Sequence, residues 1–200
     1  MDINNKLLEE LFSALGDHLE RAVSPFSIVV VGGASMAALG LIERTTKDVD
    51  VIASAHFDKG EFHLSRATPF PDSFLEAIQR VARDFGLPDE WLNGVIDKQW
   101  NTGLPPGLSE HIEWRTYSAL KVGFVGRGGL IPLKFFAVVD QGSNSKHWQD
   151  LLALQPTGGE IKEAASWVRS QDEGLEFKDF VNQVSDELRQ TLEGHRSDDQ

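Results

Sequence analysis

VVVGGASMAALGLIERTTKDVDVIA, from Val29 to Ala53, is the stretch on which the reading of this chain turns. Ser27 to Val31 is short, apolar and β-branched, the composition of a buried strand, and Gly32-Gly33 closes it. Ala34 to Ile42 is rich in Ala, Leu and Met, which predicts a short helix beginning at the glycine turn. Lys47 to Ala53 alternates, which predicts a second strand with Asp48 and Asp50 on one face and Val49 and Val51 on the other. A strand, two glycines and a helix make an anion site: free N–H groups and the positive dipole end point at the ligand. Glycine lets a phosphate approach the backbone. Two carboxylates on one strand face suit magnesium, which takes one or two carboxylates together with substrate phosphates. Both features therefore fit one ligand, a nucleoside triphosphate carrying Mg²⁺ or Mn²⁺. Each has a plainer reading too, a tight turn and a solvated strand face.

Working outward, Leu7, Leu8, Leu11, Leu15 and Leu19 predict an amphipathic helix over residues 4–20, broken at Ser24-Pro25. Phe74 to Phe85 reads as a helix stopped by Gly86-Leu87-Pro88, and Trp91 to Gly107 as irregular. Tyr117 to Val125, a turn at Gly126 to Gly129, and Leu130-Ile131 predict two short strands. Pro132 opens a helix through Val139, Lys146 to Leu154 forms another, and a charged helical tail follows Glu160 and frays over residues 195–200. The fold class expected is α/β (α+β), a small mixed twisted sheet flanked by helices with a mostly helical C-terminal part. Its divisions fall at residues 1–25, an N-terminal helix packed on the core, then 26–155 and 156–200.

Two hundred residues, 40% of them hydrophobic, suffice for one well-cored domain with a helical appendage. The absence of cysteine removes thiol catalysis, disulfides and thiolate metal sites, and fits a cytoplasmic protein. No signal-peptide pattern and no membrane-length apolar run occur, so no membrane partner is expected. A net charge of −12 argues against a general nucleic-acid binder. One segment qualifies this: Trp114 to Val139 lacks Asp and Glu but holds Arg115, Lys121, Arg127 and Lys134. It is either a phosphate-facing cationic segment or a chance gap. The six histidines are scattered, and His56 and His63 have no partner at metal-ligand spacing in the sequence, so they read as surface or core residues.

Gly32-Gly33 followed by Arg44-x-Thr46-x-Asp48-Val49-Asp50 resembles the signature of the polymerase-beta-like nucleotidyltransferase superfamily, in its minimal bacterial branch that includes AbiE-type toxins. Leu130-Ile131-Pro132-Leu133-Lys134 resembles that family's lysine-bearing helix. Lys146 to Leu151 is similar to a later helix, with His147 where an aspartate is usual, and Trp91-Leu92-Asn93 resembles one uncharacterised subfamily. The resemblance spans residues 26–155. It implies nucleotidyl transfer from a magnesium-bound triphosphate to an acceptor hydroxyl, with RNA or protein as acceptor and a toxin–antitoxin setting, a cognate antitoxin included. Asp48 and Asp50 would hold the metal, and Gly32, Gly33, Ser35, Arg44, Lys134 and Asp150 would meet the nucleotide.

Competent members of that superfamily carry a third carboxylate on a following strand, where it completes the metal site or acts as base. Tyr117 to Val125 contains no acid, so Glu113 is the nearest candidate, with Glu110 and Asp97 behind it. Other residues keep two readings. Arg44 either meets phosphate or pairs with Asp48 or Asp50. Lys134 either snorkels or meets phosphate. Asp150 either faces solvent or orients Lys134. Thr46 reads as structural, and Trp91, Trp100, Trp114 and Trp148 as packing. A module that binds nucleotide or a protein partner without catalysis is the alternative to the enzyme.

Overall fold

A computed structural model describes residues 2–198. Of residues 195–200, expected to fray, 195–198 continue the last helix and 199–200 lie outside the described residues. The chain forms two compact units, Met1–Thr102 with Ile112–Gly126, and Gly103–His111 with Arg127–Gln200. The boundary expected at residue 155 thus lies inside the second unit.

The first unit is built on a six-stranded mixed sheet, which bears out the α/β expectation. Helix α1 spans Asn5–Arg21, started by Asn4, whose side chain accepts from the Leu7 N–H at 2.9 Å. Strand β1 is Phe26–Val31. Helix α2 is Gly32–Ala38, beginning at the first glycine and ending earlier than the sequence suggests. The Leu41 N–H turns back to the Met36 carbonyl at 2.9 Å and stops it.

Strand β2 runs Val49–Asp58, further than its alternating pattern predicts, and returns as β3, Glu61–Arg66. Helix α3 is Asp72–Phe85, capped by Gly86 as expected. The stretch read as irregular contains a two-residue strand β4, Leu92–Asn93, and a 3₁₀ segment, Val95–Asn101. Strands β5, Ile112–Tyr117, and β6, Leu120–Val125, form a hairpin.

The sheet order is β3-β2-β1-β6-β5, with β4 also beside β2. β1 runs parallel to β6 and antiparallel to β2. Leu8, Leu11, Phe12, Leu15 and Leu19 of α1 and Phe74, Ile78 and Val81 of α3 bury against Val30, Val51, Val122 and Phe124. Each such side chain contributes about 1.5–3 kcal/mol by burial, so the apolar stripe of α1 fixes that helix on the sheet.

The second unit contains helices α4, Arg127–Gln141, α5, Lys146–Ala153, α6, Gly158–Arg169, and α7, Leu175–Asp198. The strand expected at Leu130-Ile131 is instead part of α4. Leu130, Ile131, Lys134, Phe135 and Val138 are all buried, a helical period that a two-residue apolar pair cannot reveal alone. Phe136 packs edge-on to Trp167 and Phe177, with centroids 6.0 and 6.3 Å away, joining α4 to α6 and α7.

Candidate nucleotide and metal site

The segment carrying Asp48 and Asp50 is anchored at successive residues. Thr46 forms an isolated antiparallel bridge with Ile3, through Ile3 N–H to Thr46 C=O at 2.7 Å and the reverse bond at 2.9 Å. The Thr46 hydroxyl donates to the Asp48 carbonyl at 3.1 Å. The Val49 N–H then donates to the Trp91 carbonyl at 2.7 Å, and Asp50 pairs with Val31 on β1 and Asn93 on β4. Val49 and Val51 are fully buried while Asp48 and Asp50 stay half-buried, so the alternation expected of this stretch holds. Thr46 is structural, as expected, and positions Asp48.

Pairing Val31 with Asp50 sets the carboxylate beside the glycine turn. Gly32 has φ +70, and a Cβ there would stand 2.8 Å from Asp50 Oδ2. At Gly33 a Cβ would stand 2.9 Å from Thr46 Oγ1, with an Arg44 guanidinium nitrogen at 3.8 Å. The glycines are thus required by close approach of the motif's own side chains. Gly32, Gly33, Arg44, Thr46 and Asp50, distant in sequence, form one cluster. Ser35 is fully buried and donates its hydroxyl to the Val125 carbonyl at 2.8 Å, so that hydroxyl ties α2 to β6.

Glu113 lies elsewhere. It pairs with Phe124, Phe124 with Val30, and Val30 with Val51. Directly opposed residues share a sheet face, and Asp50 belongs to the alternate face. Glu113 therefore lies on the opposite face, with β1 and β6 between its strand and β2. It accepts from Arg115 at 2.6 and 2.9 Å, while Arg115 also binds Glu9 at 2.8 Å and the Ala38 carbonyl. Burial works to lower the Arg115 pKa, but the hydrogen bonds it donates to Glu113 and Glu9 outweigh this and the net shift is upward. Burial and the bond to Glu9 raise the Tyr117 phenol. Asp97 is buried and accepts from the Thr68 N–H at 2.9 Å and from its hydroxyl.

The following strand that borders Asp50 is β4, and its residue in register is Asn93, whose side chain accepts from the Val95 N–H at 3.1 Å. Sequence reasoning assigned Asn93 no site role. A two-residue strand has no periodicity, and its parallel pairing joins segments more than forty residues apart. A pocket of about 420 Å³ opens beside this strand, lined by Asn93, Asp97, Lys98 and the apolar Phe70, Leu75 and Ile78.

In the second unit, Lys134 donates to Asp150 at 2.6 Å, with the two residues only 5% and 1% exposed. This ties α4 to α5. The ammonium does not snorkel, and Asp150 is a partner to Lys134 rather than a surface acid. The acid-free segment is no open cationic face either. Arg115, Arg127 and Lys134 all reach carboxylates, and the Lys121 ammonium lies 3.7 Å from the centre of the Phe57 ring. Trp91 and Trp100 donate to the Ile78 and Ile52 carbonyls, which accords with packing roles.

Among the described residues no group of three or more His, Asp or Glu side chains stands ready for a metal ion, and no helix is long and apolar enough to cross a membrane. The chain matches no family model, no curated protein and no solved structure.

Proposed function

We propose that the cluster around Asp48 and Asp50 binds a metal-complexed nucleoside triphosphate, and that the protein is a nucleotidyltransferase of the minimal polymerase-beta-like kind. The observation that carries this reading is the closeness of Gly32 to Asp50, with room for backbone but not for a Cβ beside the carboxylate. Two hard carboxylates two residues apart in one segment fit Mg²⁺ or Mn²⁺. Asp48 and Asp50 would hold the ion, which when bound offsets triphosphate charge as it develops in the transition state. Phosphate oxygens would meet this cluster on the solvent side of the half-buried Asp50, since the space a Cβ would take at Gly32 and Gly33 is filled by Asp50 and Thr46. Arg44, beside Gly33, supplies positive charge to those oxygens.

Asn93 favours a second reading. An amide beside Asp50 neither completes a three-carboxylate site nor takes a proton from an acceptor hydroxyl. A module that binds nucleotide, or a protein partner such as an antitoxin, and transfers slowly accords with that. Internal pairing of Arg115, Arg127 and Lys134 counts against RNA as acceptor, because a phosphate backbone needs open cations.

The test is thermal unfolding with Mg²⁺ or Mn²⁺ and a non-hydrolysable triphosphate. A ligand binding only the native state at 100 times its Kd adds about 2.7 kcal/mol, so wild type should melt higher. Asp48→Asn with Asp50→Asn should remove that gain and stay folded. Equal shifts in the two proteins would remove the metal assignment. Restoring an acid with Asn93→Asp should raise transfer activity if the enzyme reading is right.

A further inference from the structure

His56 and His63, unremarkable in the sequence, become direct partners in the fold. They oppose each other across β2 and β3, between the Ser54–Ser65 and Asp58–Glu61 pairs. The register is pinned by a two-residue turn with Lys59 at φ 48 and Gly60 at φ 90, the signature of a type I′ hairpin. The Ser54 and Ser65 hydroxyls are 2.8 Å apart, so side chains on this face meet across the strands. The other face carries Phe57 and Phe62, which pack on Trp114 with centroids at 4.9 and 5.2 Å. That apolar packing settles which way the hairpin faces and leaves both histidines exposed.

We propose that His56 and His63 form a two-imidazole site for a borderline divalent transition ion, zinc foremost, on the exposed face of this hairpin. Directly opposed Cβ atoms stand about 4.5–5.5 Å apart. Zinc–nitrogen bonds of about 2.0–2.1 Å in a tetrahedral centre need ring nitrogens roughly 3.3 Å apart, which imidazoles so placed reach by side-chain rotation. Neutral imidazole selects Zn²⁺, Ni²⁺ or Cu²⁺ over Mg²⁺ and Ca²⁺. Since no three-ligand group is present among the described residues, water completes the coordination. Asp58 and Glu61, one pair further along the same face, offset the ion's charge.

The site is separate from Asp48 and Asp50. His56 lies six residues along β2 from Asp50, roughly 20 Å at strand rise. The irregularity in the β1–β2 pairing, between Val29 and Val30, lies between them. An ion bound there clasps the edge strand β3 to β2.

Titration of the whole chain with Zn²⁺ alone, at pH 7.5, tests this by calorimetry. One ion per chain is expected, with His56→Thr and His63→Thr each weakening binding about tenfold or more, since even outer-shell partners of a metal ligand cost ~10–100-fold. Threonine suits an exposed strand, and circular dichroism checks that each variant folds. Asp48→Asn with Asp50→Asn should keep the component of Zn²⁺ binding that the histidine variants lose. Unchanged affinity in either histidine variant, or binding lost only with the aspartates, would overturn the assignment.

Discussion

Asp50 and Asp150 are both carboxylates in a predominantly apolar sequence context, yet their surroundings differ in kind. Asp150 is 1% exposed and takes a 2.6 Å hydrogen bond from an equally hidden Lys134. Asp50 is half-buried and stands against a glycine whose Cβ would crowd it. A buried charge with a buried counter-charge forms a closed unit, because neither tolerates loss of the other. A half-buried carboxylate keeps part of its surface open to solvent. The first arrangement serves the fold, and the second is suited to a ligand.

The largest expected effect tests the closed unit. Lys134→Met leaves Asp150 buried without its ammonium and should cost about 3–5 kcal/mol in urea unfolding. Lys134→Met combined with Asp150→Leu should recover most of that, since an apolar pair replaces a buried ion pair at little cost. Triphosphate affinity of the double variant should match wild type. Lost affinity in that variant, with stability intact, would return Lys134 to the phosphate and erase the contrast with Asp50.

A smaller effect probes the other side. Gly32→Ala introduces a Cβ 2.8 Å from Asp50 Oδ2 at a φ of +70. The left-handed backbone alone costs roughly 1–2 kcal/mol, and displacement of Asp50 should also remove the stabilisation by Mg²⁺ and triphosphate. Gly158→Ala, in the second unit at the first turn of α6 with nothing within 4 Å, is the control and should be close to neutral. If Gly32→Ala behaves like Gly158→Ala, the glycine is merely a turn residue.

What the sequence revealed follows from how local each signal is. The strand around Ile28 to Val31, the α1 stripe and the alternation of Asp48 to Val51 are short-range patterns, and all three appear in the structure. Leu130-Ile131 misled because two apolar residues fit either period, and only burial of Lys134, Phe135 and Val138 shows the helix. The bridge from Ile3 to Thr46, the register of Asn93 with Asp50 and that of His56 with His63 depend on strand pairing. Spacing could not supply them. Glu113 lies away from Asp50 for two reasons that spacing cannot show: its parity puts it on the other face, and β1 and β6 stand between β5 and β2.

The smallest effect concerns an ion pair intermediate between the two extremes. Glu160 binds Arg127 through both oxygens, at 2.8 and 2.9 Å, and completes the capping box with Thr157 at the start of α6. The Arg127 hydrogen bonds lead in holding its carboxyl at about 2, against an ordinary 4.5, despite opposition from burial. A carboxyl depressed in the folded state stabilises fully above its unfolded value, and that contribution disappears as pH falls from about 4.5 to about 2. Glu160→Gln keeps a capping partner but removes the charge. Because Glu160 is partly exposed, solvent screening keeps the deficit to about 1 kcal/mol at pH 7. Urea midpoints of wild type and variant should converge as pH drops through that window. A gap that stays constant to pH 2 would mean that Glu160 acts through the cap alone, and that Arg127 contributes nothing to its ionisation.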